Sequence, residues 1–286
     1  MFLTTLHPIP HIRKWWVASG RPIAIKGVNV TMAMPLEGVR ENVNYSYKLG
    51  KPFVHNMPEW REGVPIAIVG GGPSLKQTYK ELSKFKYIMS CGSVHDTLME
   101  LGVRPTWAVL CDPDPLMSGY VKRWSYKVKY LCASQCSPEL FEKLRNADVH
   151  IWHAATNSHE GDLDLYGPNE VMTRGGCTVS TRAMVIALGM GFTHLHLFGM
   201  DTCISKSGEH HAYEFNDPEQ ENIGKLQEVQ ISENGPKFLM AGYHIGQLFD
   251  FKTMLSLYSS RMRVTVHGEG VLASLMEIAK AKINKG

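Results

Sequence analysis

From Pro65 onward, short β-rich apolar runs alternate with amphipathic stretches of helical length. This alternation restricts the fold more than any other feature of the chain. The runs at 66–69, 87–91, 107–111, 128–132, 150–153, 194–198 and 264–267 read as strands. The stretches at 76–84, 94–101, 116–124, 138–145, 179–188, 246–258 and 271–282 read as helices. Strands separated by helices pair in parallel through crossovers, so the expected fold is α/β: a doubly wound, mostly parallel sheet with helices on both faces. Residues 226–240, with Glu233-Asn234-Gly235 at their centre, read as a β-hairpin inserted late. Residues 1–62 lack this regularity and include an apolar run at 22–30. They are expected to be an N-terminal segment packed on a core domain of residues 63–286.

Open parallel sheets bind ligands beyond the carboxyl ends of their strands. The chemically unusual residues fall just past those ends. Gly70-Gly71-Gly72-Pro73-Ser74-Leu75 follows the first strand and opens a helix. Glycines let the backbone approach an oxyanion, and the amides of a helix start point at it. Gly70, Gly71, Gly72, Pro73 and Ser74 are therefore expected to cradle a phosphate, with Gly92 and Ser93 beside them after the next strand. Gly72→Val is then expected to abolish nucleotide binding and leave the fold intact. The loop is not a Walker-type P-loop, because no Gly-Lys-Ser/Thr follows at the required spacing. Leu75 stands where a dinucleotide fingerprint needs its third glycine, and Ser90 or Cys91 where an acid should hold a ribose, which disfavours NAD.

Asp112 and Asp114 flank Pro113 at the third strand's end, a pair suited to Mg2+ bridging to phosphate oxygens. Gly175, Gly176 and Thr178 open the helix at 179–188 and form a second small-residue loop for a base, ribose or acceptor. Asp201 follows the sixth strand and is placed to accept from a ribose or an acceptor. Residues 202–224 read as a mobile loop over the site. It carries His211 and Tyr213, candidates to act on the acceptor or leaving group.

Composition narrows the partners. With 20% charged residues and a net charge of +3, there is no electrostatic case for nucleic acid or an anionic membrane. The expected partners are a small-molecule nucleotide and an acceptor alcohol, and homo-oligomerisation is left open. None of the six cysteines sits in a Cys-x2-Cys pair, which suits reduced thiols in the cytoplasm. Pro8 and Pro10 break the N-terminal region where a signal peptide would need an apolar run. No stretch approaches the roughly 20 apolar residues of a membrane span. The thirteen histidines show no spacing typical of structural zinc.

Several of these motifs together resemble the MptE-like family, named after an archaeal 6-hydroxymethyl-7,8-dihydropterin diphosphokinase. The carriers are the loop at 70–75, the segment 173–191 ending Ala187-Leu188-Gly189-Met190-Gly191, Phe198-Gly199-Met200-Asp201, and His210-His211-Ala212-Tyr213. The resemblance covers roughly residues 40–280 and implies a Rossmann-like core. For the named enzyme it implies Mg2+-dependent transfer of diphosphate from ATP to a pterin alcohol. The family also includes flagellin-glycosylation accessory proteins and phage-encoded members, for which the location would be a host cytoplasm. A more distant similarity runs to bacterial sialyltransferases that use CMP-sialic acid. Their loop has Asn where this chain has Gly71, and their helix ending, Ala-Ile-Ala-Leu-Gly, is close to Val185–Gly189. Tyr213 matches the second of their phosphate-holding tyrosines, Cys203 replaces the first, and His244 lies near the position of their catalytic histidine, which the resemblance implies as the general base if the donor is a nucleotide-sugar. Two enzyme readings follow: diphosphoryl transfer, and glycosyl transfer from a nucleotide-sugar. A non-catalytic nucleotide-binding or assembly module is the third reading.

Overall fold

The computed structural model describes residues 5–8, 16–19, 34–57, 63–155, 159–213, 226–232 and 235–283. The run at 22–30, the centre of the hairpin turn (Glu233 and Asn234) and residues 214–224 of the expected loop lie outside the described residues.

In chain order the strands are β1 (Thr5–Pro8), β2 (Trp16–Ser19), β3 (Pro65–Val69), β4 (Ile88–Cys91), β5 (Trp107–Leu110), β6 (Lys129–Ala133), β7 (Asp148–Ala154), β8 (Met172–Thr173), β9 (His194–Phe198), β10 (Gln227–Gln230), β11 (Lys237–Met240) and β12 (Arg263–Val266). The helices are α1 (Leu36–Lys48), α2 (Leu75–Thr78), α3 (Val94–Glu100), α4 (Pro138–Lys143), α5 (His159–Tyr166), α6 (Val179–Gly189), α7 (Gly242–Tyr258) and α8 (Val271–Ile283).

Eight strands form one sheet in the order β12-β9-β3-β4-β5-β6-β7-β8. Every pairing within it is parallel. This is the Rossmann-like α/β fold. Alternation along β3 shows why helices cover both faces: Ile66 and Ile68 enter one core cluster, and Ala67 and Val69 the other. The first cluster takes Ala183, Met184, Ile186 and Ala187 from α6. The second takes Leu75, Leu82, Val94 and Leu98 from the opposite side.

The chain builds outward from β3 through β8, then returns to place β9 on β3's other side. That reversal is the sheet's topological switch point, the place at which open α/β sheets hold their ligands.

Several expected elements change shape. The helix at 76–84 is one α turn followed by a 3-10 helix, Tyr79–Lys84. The helix at 116–124 is instead a 3-10 helix, Pro115–Tyr120. The hairpin is the two-stranded sheet β10–β11, tied to the loop after β9 by a bridge between Ile204 and Leu239. Within the N-terminal segment, α1 buries Val39, Asn42, Val43 and Ser46. Phe53 bridges to Ile151 on β7, so this segment packs at the far end of the sheet.

Candidate functional site

The glycine loop after β3 meets the turn after β9 backbone to backbone. Gly70 N donates to Phe198 O at 2.8 Å, and Gly72 N to Gly199 O at 2.7 Å. A Cβ on Gly70 would lie 2.6 Å from Gly199 O. One on Gly72 would lie 2.8 Å from the same oxygen and 2.9 Å from Asp201 Cγ. Gly199 has φ +57 and presses equally closely on Gly70. These glycines are required because two loops interlock.

Asp201 completes the junction. Its carboxylate accepts from Ser74 N at 2.7 Å and from the Ser74 hydroxyl at 2.5 Å. Burial pushes the Asp201 carboxyl up to about 6, against the opposing pull of the two Ser74 bonds. The amides of Gly70, Gly72 and Ser74 are thus engaged within the protein, and Pro73 has none. Gly71 is the one residue of the loop whose amide has no partner among the described residues. Ser74→Ala would leave a buried Asp201 oxygen without its donor. The expected loss is about 1–3 kcal/mol of stability, read as a lowered urea midpoint. An unchanged midpoint would show that the pair does not hold the loops together.

Over Gly71 sits the segment 205–213. Ala212 N donates to Gly71 O at 2.9 Å, and His211 Nδ1 lies 3.4 Å from the same oxygen. A Cβ on Gly71 would meet Tyr213 Oη at 2.5 Å and His211 Nδ1 at 3.0 Å. The His211 and Tyr213 rings stack at 5.4 Å. Tyr213 Oη shares a hydrogen bond with Ser93 Oγ at 2.6 Å, and burial pushes its hydroxyl up to about 12, so it stays protonated. Gly92, with φ +60, turns the chain into α3 and donates to Val109 O on β5, which sets Ser93 beside Tyr213. The structure therefore brings Gly71, Ser93, His211 and Tyr213 together at the switch point.

His244 has a different position. It is buried at the start of α7, and its Nδ1 accepts from Ala241 N at 3.1 Å, closing the helix end. An Nδ1 that accepts leaves the ring proton on Nε2. Burial, with His210 and His211 nearby, pulls its pKa to about 3. His210 lies 5.4 Å from it, ring to ring, and is likewise pulled by burial to about 4.

The second glycine loop is built around Asp250 and Arg182. Asp250 accepts from Cys177 N at 2.8 Å, and a side chain on Gly176 would overlap its carboxylate. The Arg182 guanidinium donates to the carbonyls of Gly176, Thr173 and Ala155. Thr178 caps α6 by accepting from Thr181 N. This loop connects to the first through a buried relay: Thr202 Oγ1 donates to Gln247 Oε1 at 3.1 Å, and Gln247 Nε2 to Ser180 Oγ at 2.9 Å. Thr202 has φ +58, rare for a β-branched residue. Its neighbour Asp201 is pinned through its carbonyl, which accepts from Val271 N at 2.8 Å.

Asp112 and Asp114 follow β5. Asp114 caps the 3-10 helix by accepting from Leu116 N at 2.8 Å, and Asn42 of α1 steadies the loop by donating to Pro113 O. Among the described residues, no group of three or more His, Cys, Asp or Glu could hold a metal. Mg2+ normally keeps waters and substrate phosphates among its six ligands. The aspartate pair fits it only in company with a donor's phosphates.

Arg182, Gln247, Lys76 and Glu209 escaped the sequence reading. Only Lys76, a cation two residues past Ser74, carried a local signal. Two hollows of about 330 and 370 Å³, both lined by Gly102 and Arg104, lie at the sheet's opposite, amino edge. The convergent polar groups sit instead under the 205–213 segment. No helix among the described residues is long and apolar enough to cross a membrane.

A family model described as 6-hydroxymethylpterin diphosphokinase MptE-like matches residues 39–207. No curated protein matches the chain. Among solved structures, the MAf glycosyltransferase from Magnetospirillum magneticum AMB-1 is similar at a TM-score of 0.63 and 15% identity, over 85% of this chain and 38% of that one. This likeness is one of fold, and the chain spans well under half of that protein's length. A mammalian sialyltransferase in complex with Gal-beta-1-3GalNAc-ortho-nitrophenol matches at 0.42 and 9% identity, over 84% and 82% of the two chains. The alpha-2,3-sialyltransferase Cst-I from Campylobacter jejuni matches at 0.36 and 13%, over 76% and 81%. These last two superpose too loosely to carry an argument.

Proposed function

Because the chain belongs to the 6-hydroxymethylpterin diphosphokinase MptE-like family, we propose that it is a nucleotide-dependent transferase that delivers diphosphate from ATP to a small alcohol. The observation that carries this reading is the convergence of His211, Tyr213 and Ser93 on Gly71 at the switch point. Gly71 O can only accept, so its contact with His211 favours the proton on Nδ1 and makes Nε2 the basic nitrogen. In the proposed reaction His211 Nε2 takes the proton of the acceptor hydroxyl. The acceptor oxygen forms a bond to the β-phosphorus of ATP. The bond from that phosphorus to the α-phosphate's bridging oxygen breaks, and AMP leaves with the electron pair. Tyr213 Oη and Ser93 Oγ donate to phosphate oxygens as charge builds. Asp112 and Asp114 would hold Mg2+ against the donor's phosphates, where it would neutralise charge.

One observation favours a second reading. Asp114 is already engaged as a cap, so a donor that needs no metal, such as a CMP-sugar, is also compatible with the site. His244 suits that reaction poorly as a base, because its accepting nitrogen is engaged by Ala241 N. His211 would serve there too.

The test is to incubate the protein with ATP, CTP or CMP-sialic acid, with a pterin alcohol or a hexose as acceptor, and to identify nucleotide products by mass. AMP release that depends on acceptor and Mg2+ is the expected result, falling about 10²–10⁴-fold in His211→Asn, as for loss of a general base. CMP release from the sugar donor would replace diphosphoryl with glycosyl transfer. Nucleotide binding without product across the panel would favour a binding module.

A further inference from the structure

We propose that Lys76 is a donor-phosphate ligand held in reserve by Glu209, and that phosphate displaces Glu209 and lifts the 205–213 segment off Gly71. The inference rests on the nucleotide-donor reading above and deepens it.

The first observation is a shortage of donors. The glycine loop has engaged the amides of Gly70, Gly72 and Ser74 with the turn after β9. One open amide is too little to balance a di- or triphosphate, and a Mg2+ ion would neutralise only part of its charge, so binding there calls for a cationic side chain as well. Nearby candidates are otherwise engaged: Arg182 on three carbonyls, Arg174 on the buried Asp162. Lys76, in the first turn after the loop, holds its ammonium against the Glu209 carboxylate.

The second observation is where Glu209 sits. It belongs to the segment that covers Gly71 and is braced within it: its carboxylate accepts from Ser207 Oγ at 3.0 Å, and its amide donates to Ser205 Oγ at 2.9 Å. Two and four residues on, His211 and Tyr213 fill the space over Gly71 that a phosphate would enter. One segment thus supplies both an anion for Lys76 and the groups that occlude the loop. A phosphate arriving at Gly71 must displace the occluding groups outward, which withdraws Glu209 and leaves His211 and Tyr213 on the segment that then covers the bound phosphates.

The third observation is that the closed segment is poised to open. Among the described residues, His210 Nδ1 and Tyr243 Oη are buried without partners in the closed arrangement, and each such group is unfavourable. Lys76 and Glu209 are both nearly half exposed, so the ion pair that holds the segment down is weak. Lifting the segment gives His210 water and frees Lys76 as the phosphate arrives, at the cost of the surface ion pair and of the Ala212–Gly71 and Tyr213–Ser93 hydrogen bonds, which the phosphate's own contacts must replace.

The test measures binding of inorganic pyrophosphate, ATP and adenosine by calorimetry to wild type, Lys76→Met, Glu209→Gln and the double variant, with unfolding midpoints as a control for folding. Lys76→Met should weaken pyrophosphate and ATP about 10-fold or more, the range of a charge-assisted hydrogen bond. Glu209→Gln should tighten both about 2- to 5-fold, the range of an exposed ion pair. Adenosine, which lacks phosphate, should bind alike to all four. The double variant should bind as weakly as Lys76→Met. Equal pyrophosphate binding by wild type and Lys76→Met, or weaker binding by Glu209→Gln, would overturn the proposal, as would pyrophosphate binding to none of the four. If pyrophosphate follows the expected pattern while no nucleotide binds, the Lys76 assignment stands as a phosphate site and the nucleotide-donor reading falls.

Discussion

Gly72→Val is expected to destabilise the fold by about 3 kcal/mol or more, the upper range of overpacking, and to lower the melting temperature by roughly 6–12 °C. The cause is the interlock with β9. A Cβ at Gly72 would sit 2.8 Å from Gly199 O and 2.9 Å from Asp201 Cγ. The first is backbone, held by the Gly72 N bond, and the second is fixed by both Ser74 bonds. Neither can move without opening the switch point. This departs from the sequence expectation that the variant loses its ligand and keeps its fold. Gly71→Ala is the contrasting probe. Its Cβ would meet Tyr213 Oη and His211 Nδ1, the far ends of side chains that can shift. It should leave the melting temperature within a few degrees of wild type and displace the 205–213 segment. A Gly72→Val protein that melts with wild type would show that the two loops are not packed as described.

That contrast shows how far the sequence could be read. The repeating strands were legible because each alternates or fills both faces of one sheet, and β9 falls at 194–198 as expected. The glycine run was legible as a place that tolerates no side chain. What approaches it was not, because Gly199 and Asp201 lie over a hundred residues away. Helix α1 escaped notice because its buried face includes Asn42 and Ser46, which blur the apolar period, while Asn42 is bonded to Pro113 O and Gln135 O. The helix expected at 116–124 is the shorter 3-10 helix Pro115–Tyr120, started by the Asp114 cap with Pro115 at its first position and weakened by Gly119 within it. Helix α7 starts four residues before its expected bound because a histidine, His244, closes its end. The site's side chains came from four strand ends and one covering segment, and sheet topology alone brought them together.

Acidification from pH 7.5 to 5 is expected to destabilise the protein by about 2–3 kcal/mol or more, lowering the melting temperature by roughly 5–10 °C. Two histidines carry most of the effect. His153 is fully buried, and its pKa is pulled to about 4 by burial and then by His55, although Glu170 lies 3.4 Å from its Nε2. His244 is pulled to about 3. Both titrate near 6.5 when unfolded, so each folded pKa is depressed. Their contribution is therefore complete above pH 6.5 and is lost as pH falls toward the folded values. At pH 5 each accounts for about 2 kcal/mol. His210, also depressed, adds in the same direction. Asp201 opposes them. Its carboxyl, raised to about 6, favours the folded state progressively as pH falls from 6 toward 3.8, offsetting about 1.5 kcal/mol at pH 5. Burial also raises Asp250 and Glu170, which oppose in the same sense as Asp201, and lowers His55, His150, His196 and His267, which add to the loss. The net sign is acid destabilisation, because the depressed imidazoles outnumber the raised carboxyls. His244→Gln keeps an oxygen that can accept from Ala241 N but cannot take up a proton. It should remove about a third to a half of the histidine-driven loss between pH 7.5 and 5. A melting temperature that is flat or rising over this interval in wild type would mean that these imidazoles are not held neutral in the fold, and that the tautomer which argues against His244 as a base is wrong as well.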